Sequence, residues 1–159
     1  MGYLGQLDNL IRAQDRGHAV RFTRTVVVFR DGLVVCPVAL RGASPGLQRG
    51  VLGGLARRGS RATGDSAAIR RAAEGMGPGV PAAEFAHAWP GAEVIPFAVI
   101  ERIVLTRPRQ VSELAIFEEQ VSDGTPACSV YLGDLAPERV RDLLGAVLGT
   151  RLEIVAASG

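Results

Sequence analysis

Few residues in this chain are of a type that does acid–base, nucleophilic or metal chemistry: two histidines, two cysteines and dispersed carboxylates. His87 follows Glu84 by three positions. On a helix that spacing sets imidazole and carboxylate on one face, as in carboxylate-bound metal sites. Such sites draw further ligands from other helices, and none is visible in this sequence. His18, beside Gly17, reads as a solvated turn residue. A site made of Cys36, Cys128 and His87 requires their strands to be neighbours, and it lacks the ligands paired at two to four residues that mark structural zinc. Each cysteine lies in an apolar strand pattern and is expected to be a small buried hydrophobe. Ser60, in Gly59-Ser60-Arg61, is not the centre of a Gly-x-Ser-x-Gly elbow. The glycine-rich stretches 50–54 and 75–79 do not open a helix after a strand in a dinucleotide fingerprint. Glu118 and Glu119, adjacent in a strand pattern, point to opposite faces and do not form an acid–base pair. Lysine is absent, which removes P-loop, Schiff-base and lysine-base chemistry. The sequence therefore names no catalytic residue, no metal ligand and no cofactor site, and a binding role is expected.

The remaining chemical signal is charge. All 18 basic residues are arginine, the formal net charge is +2, and the basic residues are unevenly placed. Arg41, Arg49, Arg57, Arg58, Arg61, Arg70 and Arg71 crowd the middle of the chain, where Asp65 and Glu74 are the nearby acids. From Gln110 onward, eight carboxylates stand against Arg139, Arg141 and Arg151. Within the basic segment, Leu47, Val51, Leu52 and Leu55 recur at helical spacing and form an apolar strip. Leu47, Arg49, Val51, Leu52, Leu55, Arg57, Arg58 and Arg61 are therefore the candidate partner-binding residues. Three readings fit them: ion pairing with the acidic half of the same or a neighbouring chain, docking of a protein partner, or attachment to an anionic membrane or nucleic acid. The segment has no aromatic residue to stack on bases, which argues against nucleic acid.

These residues must be positioned by a chain of 159 residues, 47% of them hydrophobic, which is enough for one domain with a substantial core. Leu4, Leu7, Leu10 and Ile11 predict a short amphipathic helix over residues 3–17. Thr25 to Arg30 and Leu33 to Val38 flank Asp31-Gly32, a strong β-hairpin signal, with Pro37 placing the second strand at an edge or end. Residues 41–92 break the β pattern and read as a helical and loop insertion, with a helix over Ala67–Ala73. Strands are expected over Val94–Thr106, Val111–Val121 and Ala127–Leu132. Val140, Leu143, Leu144, Val147 and Leu148 then define a helix over Pro137–Leu148, with Gly149 just past its end.

A hairpin, further strands including Ile95-Pro96-Phe97-Ala98-Val99-Ile100, and one terminal helix resemble the bacterial pleckstrin-homology-like domains over about residues 19–40 and 92–152. The resemblance implies a bent antiparallel barrel of seven strands with a helix plugging its end, and a scaffold for peptides, proteins or lipids. The expected fold is α+β: an antiparallel PH-like sheet or part-barrel, a C-terminal capping helix and a helical Arg-rich insertion. The expected partner is another protein or a second copy of the chain, with an anionic membrane surface as the alternative. The N-terminus lacks a signal-peptide pattern and no stretch approaches a membrane span, so a cytoplasmic location is expected.

Overall fold

The computed structural model describes residues 2–15, 22–39, 66–108, 110–119 and 127–155. Among them are eight strands: β1 (Tyr3–Arg12), β2 (Phe22–Phe29), β3 (Gly32–Ala39), β4 (Glu93–Pro96), β5 (Ile100–Thr106), β6 (Ser112–Glu118), β7 (Ala127–Gly133) and β8 (Leu152–Ile154). Three α-helices accompany them: α1 (Ser66–Gly75), α2 (Ala82–Ala88) and α3 (Pro137–Leu148). The strands form one open sheet in the order β4-β3-β2-β1-β7-β6-β5-β8. Each neighbouring pair is antiparallel except β5 with β8. The fold is α+β with a helical insertion between β3 and β4 and a helix near the C-terminus.

β1 holds the two halves of the sheet together. Its register with β2 runs from Tyr3 to Leu10, and then Ile11 and Arg12 pair with Leu132 and Tyr131 of β7. This strand replaces the amphipathic helix expected over residues 3–17. Its register slips between Tyr3 and Gly5 and again between Leu7 and Leu10, and Asn9 adopts φ 59°. An extra residue in a bulge brings Leu7 and Leu10 to the same face of a strand. Both are buried in one core, and the three-residue spacing imitates a helix.

The inner core lies between the two halves of the sheet and α3. Leu7, Val26, Val28, Leu33, Val35, Ile103, Leu114, Ile116 and Tyr131 contribute from the strands, and Val140, Leu144 and Leu148 from the helix. That helix spans the expected residues, with Pro137 in its first turn and Gly149 (φ 55°) at its C-cap. A second core covers the opposite face of the first half-sheet: Val27, Phe29, Val34 and Cys36 meet Ile69 and Ala73 of α1, and Ala82, Phe85 and Trp89 from α2 and its end. β2 and β3 are thus buried on both sides, which explains the unbroken runs Val26-Val27-Val28-Phe29 and Leu33-Val34-Val35-Cys36.

This second core corrects the expectation that the whole of 41–92 is a segment the core does not need. From Ser66 onward the insertion is part of the packing. Fully burying one Ile or Phe side chain contributes about 1.5–3 kcal/mol. α1 and α2 supply Ile69 and Phe85 at 0% and 1% exposure. The hairpin also supports this layer. Both Asp31 carboxylate oxygens accept the backbone N–H of Ala82 (3.1 and 3.2 Å), capping α2 from another element. Gly32 is needed for close approach: a Cβ there would lie 2.8 Å from the Ile95 carbonyl oxygen. The positive φ expected of a hairpin glycine is absent at this position.

Candidate functional site

The residues tested for chemistry remain apart. Glu84 and His87 share α2, both exposed, and the described residues contain no group of three or more His, Cys, Asp or Glu able to hold a metal ion. Cys36 lies in the outer core, where burial pushes its thiol up to about 12 and makes it inert at neutral pH. Cys128 is exposed on β7, which corrects its expected burial; partial desolvation raises its thiol pKa and nearby Arg102 opposes the rise. Glu118 ends β6 and Glu119 follows the strand. His18 and the eight proposed contact residues, Leu47, Arg49, Val51, Leu52, Leu55, Arg57, Arg58 and Arg61, lie outside the described residues.

The structure shows how the ends of that segment are attached. It leaves the fold after Ala39, at the end of β3, and rejoins it before Ser66, at the start of α1. The Ser66 end is tied to β1 by a polar network beneath the helix. Gln6, 1% exposed, donates through Nε2 to the Ser66 carbonyl (2.9 Å) and to Asp8 (2.7 Å). Asp8 also accepts from the Thr25 hydroxyl (3.1 Å) and faces Arg70 at 3.7 Å. Arg70 is thereby part of the scaffold's anchoring of α1. Arg139, exposed on α3, donates to the Gln6 carbonyl at 3.0 Å.

A second polar cluster joins the two halves of the sheet. The Arg12 guanidinium engages both carboxylate oxygens of Glu93 and the Tyr131 hydroxyl, and stacks 5.5 Å from the Tyr131 ring centroid. β1 and β4 are separated by β2 and β3 in the sheet, so this clasp ties together strands that are not neighbours. The hydrogen bonds from Arg12 hold the Glu93 carboxyl below the usual range, and Glu93 raises the Arg12 pKa. Arg24 lies 3.7 Å from Asp15. Opposite charges accompany both arginines, so the cluster reads as a brace.

The two halves of the sheet differ on their outer faces. α1 and α2 cover the first. On the second, cross-strand pairing aligns Ile11 with Leu132, Val130 with Ala115, Ala115 with Val104, and Cys128 with Phe117. These residues point away from the inner core, and no described helix packs on them. Ile11, Val104, Ala115, Phe117 and Val130 are half-buried. Arg102 lies 4.5 Å above the Phe117 ring and 3.7 Å from Glu153. At one corner of the face a cleft of about 330 Å³ is lined by Asn9, Ile11, Gln110, Val111, Leu132, Gly133 and Asp134. Val111, at 44% exposure, forms part of its wall. A smaller cleft, about 270 Å³, lies between Tyr3 and the end of α1, by Met76 and Pro78.

Sequence reasoning missed this face. Its signal lay in β6, where Leu114 to Phe117 is apolar without interruption, and in β7, where Val130 and Leu132 occupy the side opposite Tyr131. No family model, curated protein or solved structure matches this chain.

Proposed function

We infer that this chain is a non-catalytic, PH-like adaptor domain that recognises a protein partner through Leu47, Arg49, Val51, Leu52, Leu55, Arg57, Arg58 and Arg61. Seven antiparallel strands followed by a helix support the PH-like reading, since that is the order the resemblance implies. The observation that carries the binding role is charge separation within one small domain. Residues 41–64 contain five arginines (41, 49, 57, 58 and 61) and no acid, whereas residues 110–159 contain eight carboxylates and three arginines. An apolar strip bordered by one sign of charge suits an acidic surface with an apolar groove. The anchoring of α1 by Gln6, Asp8 and Thr25 supports it further, because it leaves the scaffold independent of the contact.

The second reading is a peripheral membrane module. It draws on the same five arginines, each worth about 1 kcal/mol at an anionic surface. The described residues contain no helix long and apolar enough to cross a membrane. A photo-crosslinker at position 52 in the cell separates the two readings. The adaptor reading expects a discrete protein adduct that Arg57→Glu/Arg58→Glu abolishes. No protein adduct, together with salt-sensitive sedimentation on vesicles rich in anionic lipid, would replace it with the membrane reading.

A further inference from the structure

We propose that the cleft where β1 parts from β7 is a binding site for a short, uncharged peptide. Ile11, Val111 and Leu132 hold one aliphatic side chain, and the Asn9 and Gln110 carboxamides pair with the peptide groups beside it. The site is separate from residues 41–64 and does not rest on the role assigned to them.

An irregularity in β1 builds the cleft. The register with β2 slips between Leu7 and Leu10, and pairing with β7 begins at Ile11, so Asn9 has no register partner on either side. Asn9 is also the one non-glycine residue at positive φ (59°) among the described residues. A bulge of this kind re-aims a side chain, and backbone held outside the ordinary regions gathers at ligand sites. Here it sets Asn9 in the wall of the 330 Å³ cleft. Gly133 closes against the bulge: a Cβ there would lie 2.6 Å from Leu10 Cδ2 and 3.4 Å from the Asn9 carbonyl oxygen.

The lining suits a peptide. Ile11 and Leu132 are cross-strand partners, and with Val111 they give an aliphatic wall. Val111 is one of the two large hydrophobic residues left exposed among those described. Beside that wall stand two carboxamides, and neither Asn9 nor Gln110 hydrogen-bonds through its side chain to another described residue. A carboxamide both donates and accepts, as a peptide group does, so the two pair in a bidentate manner. The carboxylate of the cleft, Asp134, already faces Arg107 at 3.7 Å. None of the described lining residues is cationic or aromatic. With no cation for a phosphate and no ring for a base, a neutral peptide fits and a nucleotide does not. The volume lies near the lower end of ligand cavities, about 300 Å³, which matches a short peptide.

The test is a ¹H–¹⁵N correlation titration of the full chain with acetyl-Ala-Leu-Ala-amide, a blocked tripeptide without charge. The expected result is saturable shifts of the Asn9, Ile11, Val111 and Gly133 backbone signals and of the Asn9 and Gln110 side-chain amides, with a dissociation constant of about 1 mM. Acetyl-Ala-Ala-Ala-amide should bind at least about fivefold more weakly, because most of the aliphatic side chain is lost. Asn9→Gly keeps the positive φ and deletes the carboxamide. It should bind the tripeptide about fivefold more weakly, with an unchanged or higher urea midpoint. Val111→Ser should weaken binding to a similar extent in a folded protein. Absence of shifts at about twenty times the expected dissociation constant would overturn the proposal. Equal binding by Asn9→Gly would assign Asn9 to the backbone turn alone and overturn it too, as would tighter binding of adenosine at the same residues.

Discussion

Phe85→Ala tests whether the insertion from Ser66 onward belongs to the core. Phe85 is 1% exposed, with its ring centroid 5.3 Å from that of Phe29 on β2 and 6.2 Å from that of Trp89. Removing the ring deletes contacts to both and leaves a cavity between the sheet and α2. Buried Phe→Ala changes cost about 3–5 kcal/mol, because neighbouring groups refill the space only partly. Domains of this kind have about 5–15 kcal/mol of stability in total. At about 2–4 °C per kcal/mol for this size, the melting temperature should fall by about 10 °C. Urea unfolding followed by far-UV circular dichroism is the primary assay, since Trp89 lies in the altered cluster and its fluorescence will shift for local reasons. With a slope of about 1–3 kcal/mol per molar, the midpoint should drop by at least about 1 M with the slope unchanged. Loss of less than about 1 kcal/mol would mean that α2 is an appendage, and two-sided burial of β2 and β3 would be refuted.

Other perturbations follow from the same structure. Asp31→Ala removes the cap of α2 and should cost about 1 kcal/mol in urea unfolding, whereas Asp31→Asn should retain most of that stability. A thiol reagent at mildly alkaline pH should modify Cys128 alone in the native protein and both cysteines after denaturation; rapid native modification of Cys36 would contradict its burial. The folded-state pKa of Glu93 lies below its ordinary value near 4.5, so its contribution is present above that pH and lost as pH falls through the folded value. Glu93→Gln should thus destabilise at neutral pH by a fraction of a kcal/mol, given the 53% exposure of the Glu93 side chain, and the deficit should vanish in acid. Melting temperatures of the two proteins between neutral and acidic pH would show it, and a deficit that persists in acid would refute the ion-pair account.

The elements legible in the sequence were those with one uninterrupted period. α3 carries a clean i, i+3, i+4, i+7 stripe between Pro137 and Gly149, and its expected limits match. The β2–β3 hairpin was equally plain, although its continuous apolar runs already signalled cover on both faces. β1 was misread because its bulges put Leu7 and Leu10 on one face at a helical spacing. In β7 Tyr131 takes the core side, and the strand's alternation therefore turns Cys128 outward. α2 and β8 have seven and three residues, too few for a period to declare itself, and packing and pairing define them. The Arg-rich candidate residues were legible as composition, whereas the uncovered outer face of β5, β6 and β7 required cross-strand register, which no single strand's sequence contains.

The most direct test of the central claim replaces residues 41–64 by a flexible Gly/Ser linker between the Ala39 and Ser66 ends. Unfolding and partner association are measured on the same protein. The account predicts a thermal midpoint within about 2 °C of the parent, since no described residue of either core is removed, and complete loss of association. An unfolded product, or a folded one that still associates, would contradict it.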